Sequence, residues 1–199
     1  MYKKTLLLPL FATFLFSACQ PNTQPEAKTA SADNPVVIPF AFTSAVEPNS
    51  AAEKIQWLTM EQAAEKMKQE PRKIMVDVYT DWCGWCKKMD KNTFTDPEVA
   101  AIINKHYYAV KLDAEGKAPI TLKGQTFKFN PEYKSHELAV ALLNGQMSFP
   151  TTVYLDEQMN MLTPVPGYLD AKTMAPILRY FGEDHHKKMN WQEYEKKAK

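Results

Sequence analysis

The chain has 199 residues, of which 45% are hydrophobic and 24% charged, so it is long enough for one globular domain and is neither disordered nor fibrous as a whole. Lys and Arg number 24 and Asp and Glu 23, and the formal net charge of +1 provides no basic surface for a polyphosphate backbone. We therefore expect no nucleic acid among the partners. Three cysteines are too few for a disulfide scaffold.

Residues 1–18 predict a secretory signal peptide, because two lysines precede an apolar run over 6–16 that is shorter than the ~20 helical residues needed to span a bilayer. The sequence Phe-Ser-Ala-Cys at 16–19 resembles a bacterial lipobox, in which the cysteine becomes the first residue and is acylated. We expect an exported protein, lipidated at Cys19 and anchored to a membrane in the periplasm or cell envelope. The alternative is an ordinary signal peptide with a leftover cysteine.

Residues 19–50 predict an extended tether. Five prolines and many small polar residues interrupt any helical or strand period in this stretch. The apolar segment 36–42 is the exception, and an edge strand docked on the domain is the alternative for it.

The range 51–183 predicts one folded domain that opens with a helix and a strand. Thr59 and Gln62 form a capping box for a helix that ends near Gln69. The β-rich run over 73–79 then predicts a buried strand, which leads into a turn rich in Trp, Cys and Gly.

The middle of this domain predicts a further helix, a strand and a small hairpin. Asp96 followed by Pro97 is typical of a helix start, and the alternating residues 107–113 predict a strand. Segments 120–122 and 126–129 predict the two arms of the hairpin.

The last part of the domain predicts helices around a strand pair. One helix starts at about residue 131 or 135 and ends before Asn144-Gly145. Strands 151–155 and 161–165 form a hairpin, and a helix capped by Asp170 follows. Pro176 fits that helix better if it starts at Thr173, which places the proline in the first turn.

A charged tail over 184–199 closes the chain with a short helix capped by Asn190 and Glu193. The order of elements predicts an α/β fold with a central mixed sheet and helices on both faces.

Cys83 and Cys86 lie three residues apart at the expected start of a helix, so both sulfurs lie on the same side of its first turn. This spacing allows a reversible disulfide, and the positive end of the helix dipole stabilises a thiolate there. We expect Cys83 to be the nucleophile and Cys86 to resolve the mixed disulfide.

Paired cysteines also occur in metal, haem and structural disulfide sites. A zinc site would need His106 or His136 as additional ligands, and the spacing does not support them, so we expect no metal. A c-type haem site needs His where the chain has Lys87. A purely structural disulfide remains open, although it does not explain the Trp and Gly residues crowded around the thiols.

The segment 76–87 resembles the active-site strand and turn of thioredoxins, especially of exported or lipid-anchored members with a W-C-G-W-C-K motif. Phe-Pro-Thr-Thr at 149–152 resembles the cis-proline loop of that family. The resemblance covers residues 53–182 and implies a thioredoxin fold with an insertion over 114–148. Trp85 stands where thioredoxins have proline, which leaves the direction of electron flow open.

The resemblance also implies roles for further residues. Asp77 corresponds to a buried acid that takes the proton of Cys86, and Lys111 to a lysine near that acid. The alternatives are a surface carboxylate at a strand edge and a solvated strand lysine. We expect a cis peptide bond before Pro150, and substrate-binding residues on the motif and the loop, namely Trp82, Gly84, Trp85, Phe149, Pro150 and Thr151. Trp82 is also expected to pack in the core.

The implied function is thiol–disulfide exchange with protein thiols and disulfides, with reduction as the expected direction. It requires no organic cofactor or metal. A reductase in an oxidising compartment needs an electron donor, and we expect a membrane protein in that role. The alternative is a thioredoxin-fold module that binds proteins in a chaperone-like way, with redox chemistry secondary.

Overall fold

A computed structural model describes residues 54–198. The strands are β1 Trp57–Leu58, β2 Lys73–Tyr79, β3 Tyr107–Asp113, β4 Ile120–Leu122, β5 Gln125–Phe127, β6 Phe129–Asn130, β7 Ser135–His136, β8 Thr151–Leu155 and β9 Met161–Pro166. The helices are α1 Met60–Gln69, α2 Gly84–Asn92, α3 Pro97–His106, α4 Glu137–Leu142, α5 Ala171–Gly182 and α6 Trp191–Ala198, with a short 3-10 helix at His185–Lys187.

The central sheet has five strands in the order β1-β3-β2-β8-β9. Strands β1, β3 and β2 run parallel, whereas β8 is antiparallel to β2 and β9 is antiparallel to β8. Two small hairpins, β4–β5 and β6–β7, lie outside this sheet in the insertion. The mixed sheet confirms the predicted α/β architecture.

The helix ends follow the capping residues that the sequence shows. The Thr59 hydroxyl accepts the Gln62 N–H while the Gln62 side chain accepts the Thr59 N–H, so both halves of the capping box are formed. The Asp96 carboxylate accepts two N–H groups in the first turn of α3. Asn190 and Glu193 cap α6 in the same reciprocal way.

Helices cover both faces of the sheet, and alternate residues of β2 point to opposite faces. Ile74 and Val76 pack in the core under α1 and α4, whereas Met75 packs with residues of α2, α3 and α5. Asp77 therefore points toward the layer that contains α2.

Three predicted boundaries are wrong, and those of the two helices have local causes. Helix α4 begins at Glu137 because the preceding residues form the β6–β7 hairpin and the His136 Nδ1 accepts the Leu138 N–H. Helix α5 begins at Ala171, so Pro176 lies inside it. The proline removes the N–H that would donate to the carbonyl of Lys172, and Lys172 is an exposed residue of the helix. Strand β5 likewise covers 125–127 and not 126–129.

The tail contacts the domain through aromatic rings. The rings of Trp191 and Tyr194 lie 5.3 and 5.2 Å from the ring of Tyr180 on α5. Tyr194 is buried, so α6 carries an apolar side chain into this contact as well as charges on its outer face.

The signal peptide, the tether and Cys19 lie outside the described residues. Among residues 54–198 no helix is both long and apolar enough to cross a membrane.

Candidate active site

The cysteine pair lies where β2 ends and α2 begins. Cys83 is the N-cap of α2, its N–H donates to the Thr80 carbonyl over 3.1 Å, and its sulfur is bonded to that of Cys86. The Cys86 N–H donates to the Cys83 Sγ over 3.0 Å. When the disulfide is reduced, this donor and the positive end of the helix dipole both favour a thiolate at Cys83.

Asp77 lies six residues before Cys83 and is fully buried. Its Oδ2 accepts a hydrogen bond of 2.6 Å from the Lys111 Nζ, because Asp77 and Lys111 are Cα partners across β2 and β3. Burial raises the pKa of the Asp77 carboxyl to about 6 from its ordinary value of 3.8, and the Lys111 charge opposes this shift. The alternative of a surface carboxylate at a strand edge is therefore wrong.

Lys111 bridges two carboxylates, since its Nζ also donates to the Oδ1 of Asp90 on α2. The Nζ lies 4.8 Å from the ring centroid of Trp57 and 5.3 Å from that of Phe94. Burial alone would lower the pKa of Lys111, but the two carboxylates raise it, so the charge is retained. With a side chain only 22% exposed, Lys111 is not a solvated strand lysine.

Trp82 and Phe149 form one aromatic group beside the cysteines. Trp82 is 66% exposed, so its predicted core packing is wrong. Its ring lies 6.0 Å from the ring of Phe149, and its Nε1 donates to the Glu115 Oε1 over 3.1 Å. Glu115 belongs to the insertion, which therefore supports one side of the site.

Trp85 and Tyr168 form a second aromatic group. Trp85 is 56% exposed, and its ring lies 5.3 Å from that of Tyr168. The Lys88 Nζ lies 4.6 Å from the Trp85 ring centroid and 5.2 Å from that of Tyr168. This group therefore combines apolar area with a positive charge.

The loop before β8 completes the site. The Phe149–Pro150 peptide bond is cis, as predicted. The Pro150 carbonyl accepts the Gly167 N–H over 2.8 Å, and the Thr151 hydroxyl donates to the Ser148 carbonyl over 2.8 Å. The contact between Phe149 and Trp82 brings this loop close to the residue that precedes Cys83.

Gly84 is not required by packing, since a Cβ there would meet nothing within 4 Å. The contacts of Asp90, Glu115 and Lys88 were not foreseen. The sequence positions of these three residues do not predict the contacts, because each contact depends on how α2, the insertion and the sheet pack together. No group of three or more His, Cys, Asp or Glu side chains within the described range is placed to hold a metal ion.

A cysteine pair at a helix start, above a buried carboxylate and beside a cis proline, defines the class as a thioredoxin-fold domain with a redox-type Cys-x-x-Cys pair. The model of the thioredoxin-like domain family matches residues 60–182. The chain belongs to this family.

Curated relatives and solved structures agree with this assignment. The thiol:disulfide interchange protein DsbD of Haemophilus influenzae (strain 86-028NP) is 30% identical over 141 residues, which cover 68% of this chain and 21% of that protein. DsbD of Haemophilus ducreyi is 46% identical over 52 residues, or 26% of this chain and 9% of that protein. A solved structure described as DsbH oxidoreductase has a TM-score of 0.50 at 21% identity, covers 67% of this chain and 88% of its own, and supports the fold. The chain thus spans about a fifth of the length of the longer DsbD match.

Proposed function

We propose that the protein is a thiol–disulfide oxidoreductase that exchanges disulfides with protein substrates in the periplasm or cell envelope. The observation that carries the proposal is the Cys83–Cys86 disulfide at the start of α2, on the face of the sheet where Asp77 is buried with a pKa of about 6. A group that titrates near neutrality beside a cysteine pair is suited to proton transfer during exchange. Similarity to DsbD proteins agrees with this chemistry.

The reaction starts from the reduced pair. The Cys83 thiolate attacks one sulfur of a substrate disulfide, which forms a mixed disulfide and releases the other substrate sulfur as a thiolate. Cys86 then transfers its proton to the Asp77 carboxylate, and its thiolate attacks the Cys83 sulfur. This closes the Cys83–Cys86 disulfide and releases the second substrate thiolate, so two electrons pass from the protein to the substrate. Both released thiolates take protons from solvent.

Lys111 keeps the Asp77 proton exchangeable. Without a nearby positive charge, full burial would hold the carboxyl protonated to a still higher pH. The hydrogen bond from Lys111 lowers that pKa toward the range in which the carboxylate is present at neutral pH. The Asp77–Lys111 pair therefore sets the pH range in which Asp77 acts as a base.

The substrate docks across the two exposed aromatic groups. Trp82 and Trp85 provide apolar area beside the cysteines, and the backbone N–H and C=O of Phe149 pair with an extended substrate segment. Gly84 is exposed within the motif, whereas Pro150 and Thr151 are buried and fix the shape of the loop. Recognition of backbone and apolar area fits many protein substrates and requires no organic cofactor.

Reduction of substrates is the proposed direction, with electrons resupplied by a membrane protein. Trp85 stands where thioredoxins have proline, so the direction cannot be taken over from thioredoxins. A glutathione redox titration of the cysteine pair measures it. A potential near the thioredoxin value of about −270 mV supports a reductase, whereas one near about −120 mV assigns an oxidant.

We also propose that Cys19 carries a lipid anchor. The lipobox-like sequence supports this assignment. Mass spectrometry of membrane-extracted protein is expected to find acylated Cys19 at the mature N-terminus, and Cys19→Ser is expected to abolish membrane association. Unchanged processing and association in the variant would contradict the anchor.

The second candidate is a protein-binding module. It is favoured by Trp82 and Trp85, which are large, apolar and more than half exposed. Insulin reduction by wild type and Cys83→Ser separates the two functions. An oxidoreductase loses turnover in the variant, whereas a binding module has no turnover to lose and keeps its affinity for unfolded proteins.

The assigned cysteine roles are tested by trapping. Cys86→Ser is expected to accumulate mixed disulfides through Cys83, because the resolving thiol is absent. Cys83→Ser is the matched control and should accumulate none. Equal trapping by both variants would show that the roles are not distinct.

A further inference from the structure

Thr152 lies directly opposite Asp77 in the sheet. The two are Cα partners in the antiparallel register of β2 and β8, so their side chains point to the same face. Both residues are fully buried. Met75 lies two residues before Asp77 on β2, and Tyr154 lies two residues after Thr152 on β8. Both pack in the core cluster that includes Met89 of α2. The face that carries Asp77 and Thr152 is therefore the face that α2 covers, and Cys86 is on the buried side of that helix.

Each of these residues has a buried oxygen without a partner. Within residues 54–198, neither the Asp77 Oδ1 nor the Thr152 Oγ1 has a hydrogen-bond partner. Buried polar atoms are nearly always paired, directly or through ordered water. An unpaired carboxylate oxygen and an unpaired hydroxyl on opposed residues match each other chemically, since a hydroxyl both donates and accepts.

We infer that Thr152 is a positioning residue for Asp77, whose hydroxyl donates to Oδ1 of the ionised carboxylate through one bridging water. This inference rests on the proposed function. When Asp77 holds the proton of Cys86, the same hydroxyl turns and accepts through that water. Asp77 then has a partner on each oxygen, Lys111 on Oδ2 and Thr152 on Oδ1.

Other polar groups share this face, and the Tyr154 hydroxyl is also buried without a partner within residues 54–198, but the residue directly opposite Asp77 on β8 is Thr152. The charged groups that influence its pKa are Lys111 from β3 and Asp90 from α2. Tyr79 on the same strand and Tyr154 on β8 share its face, as does Cys86 from α2. The buried residues that α3 and α5 contribute to this core cluster are apolar. A hydroxyl that donates to the ionised form favours that form, so its removal should raise the pKa of Asp77 further.

The direct test is the titration of the Asp77 side-chain carboxyl carbon by NMR in the oxidised protein. Thr152→Val removes the hydroxyl at nearly constant volume and is expected to raise the pKa of Asp77 by about half a unit or more. Thr152→Ser keeps the hydroxyl and is expected to restore the wild-type value. Thr93→Val is the control, since it also removes a buried hydroxyl, one that donates to the Leu169 carbonyl, and should leave the Asp77 titration unchanged.

The kinetic test is the rate at which Cys86 displaces a chromogenic aromatic thiol from Cys83, measured against pH. Thr152→Val is expected to slow this step by about twofold near pH 6 and to approach wild type above about pH 8, where the carboxylate is present in both proteins.

An unchanged titration in Thr152→Val, or a failure of Thr152→Ser to restore it, would overturn the inference. If Thr152→Val does not fold, Thr152→Ala provides the same comparison. A wild-type protein without exchange activity would instead contradict the proposed function, while the titration would still decide the role of Thr152.

Discussion

Strand β2 carries two buried charged side chains, and their surroundings differ. At its start, the Lys73 Nζ lies 2.6 Å from the Glu157 carboxylate and 2.8 Å from that of Asp184, which also pairs with Lys187. Four residues further on, Asp77 has one oxygen bonded to Lys111 and the other without a partner among the described residues. The Lys73 charge thus lies against two carboxylates, whereas the Asp77 carboxyl has one charged partner that it shares with Asp90.

The pKa directions show the consequence. Burial opposes the charge of Lys73, but its carboxylate partners raise its pKa, and hydrogen bonds from Lys73 and Lys187 hold the pKa of Asp184 at about 2. These groups keep their charges at neutral pH. For Asp77, burial outweighs the Lys111 charge, and its pKa rises to about 6. A compensated buried charge stabilises the fold, whereas an under-compensated one is able to move a proton.

The largest expected effect is on stability against pH. Folded Asp77 binds its proton more tightly than the unfolded chain does, so its contribution to stability is complete below pH 3.8 and is lost as pH rises to about 6. The shift corresponds to about 3 kcal/mol. Asp77→Asn lacks this titration. The difference in the free energy of unfolding, variant minus wild type, should therefore rise by about 3 kcal/mol between about pH 4 and pH 8. Urea unfolding with the disulfide intact measures the difference, and a difference that is constant with pH would contradict the assignment.

The next effect concerns the compensated site. Lys73→Met removes the charge that Glu157 and Asp184 share and is expected to lower the free energy of unfolding by about 2 kcal/mol at pH 7. Lys187→Met is the control, because its pair with Asp184 is half exposed and should contribute less than about 1 kcal/mol. Equal losses in the two variants would show that burial does not distinguish the two pairs.

The contrast between these sites also shows what the sequence can predict. Asp77, Cys83 and Cys86 were predictable, because a motif with fixed spacing follows a strand of strong β pattern and continues into a helix. The helix starts at Thr59 and Asp96 were predictable for a similar reason, since capping is a local interaction.

Contacts between distant segments were not predictable. Lys73 meets Glu157 across 84 positions, and Thr152 lies opposite Asp77 only because β8 pairs with β2 in one register. A one-residue shift of that register would turn Thr152 to the other face. The sequence identifies the reactive groups, but the registers and helix packing decide which partners set their pKa values.

The rate of disulfide closure should distinguish the two buried charged residues of β2, Asp77 and Lys73. Asp77→Asn removes the carboxylate proposed to accept the Cys86 proton and is expected to slow the closure of the Cys83–Cys86 disulfide about tenfold at pH 7. Lys73→Met is the matched control, since it changes the other end of the same strand and should leave this rate unchanged. Stopped-flow release of a chromogenic thiol from Cys83 measures the rate. A similar slowing in both variants would assign the loss to general destabilisation.

The smallest expected effect is at Asp90, which connects the buried pair to the surface. Its negative charge raises the pKa of Asp77, and its Oδ1 accepts a hydrogen bond from the Lys111 Nζ that also serves Asp77. Asp90→Asn removes the charge and weakens the competition for Lys111, so the pKa of Asp77 should fall, by less than about one unit because Asp90 is half exposed. NMR titration of Asp77 measures the shift, and the pH at which Cys86 becomes reactive should move down with it. Glu98→Gln on α3 is the control, since Glu98 pairs with Arg179 and not with Lys111. A rise in the pKa of Asp77 in Asp90→Asn would mean that Asp90 holds Lys111 toward Asp77 and does not compete for it.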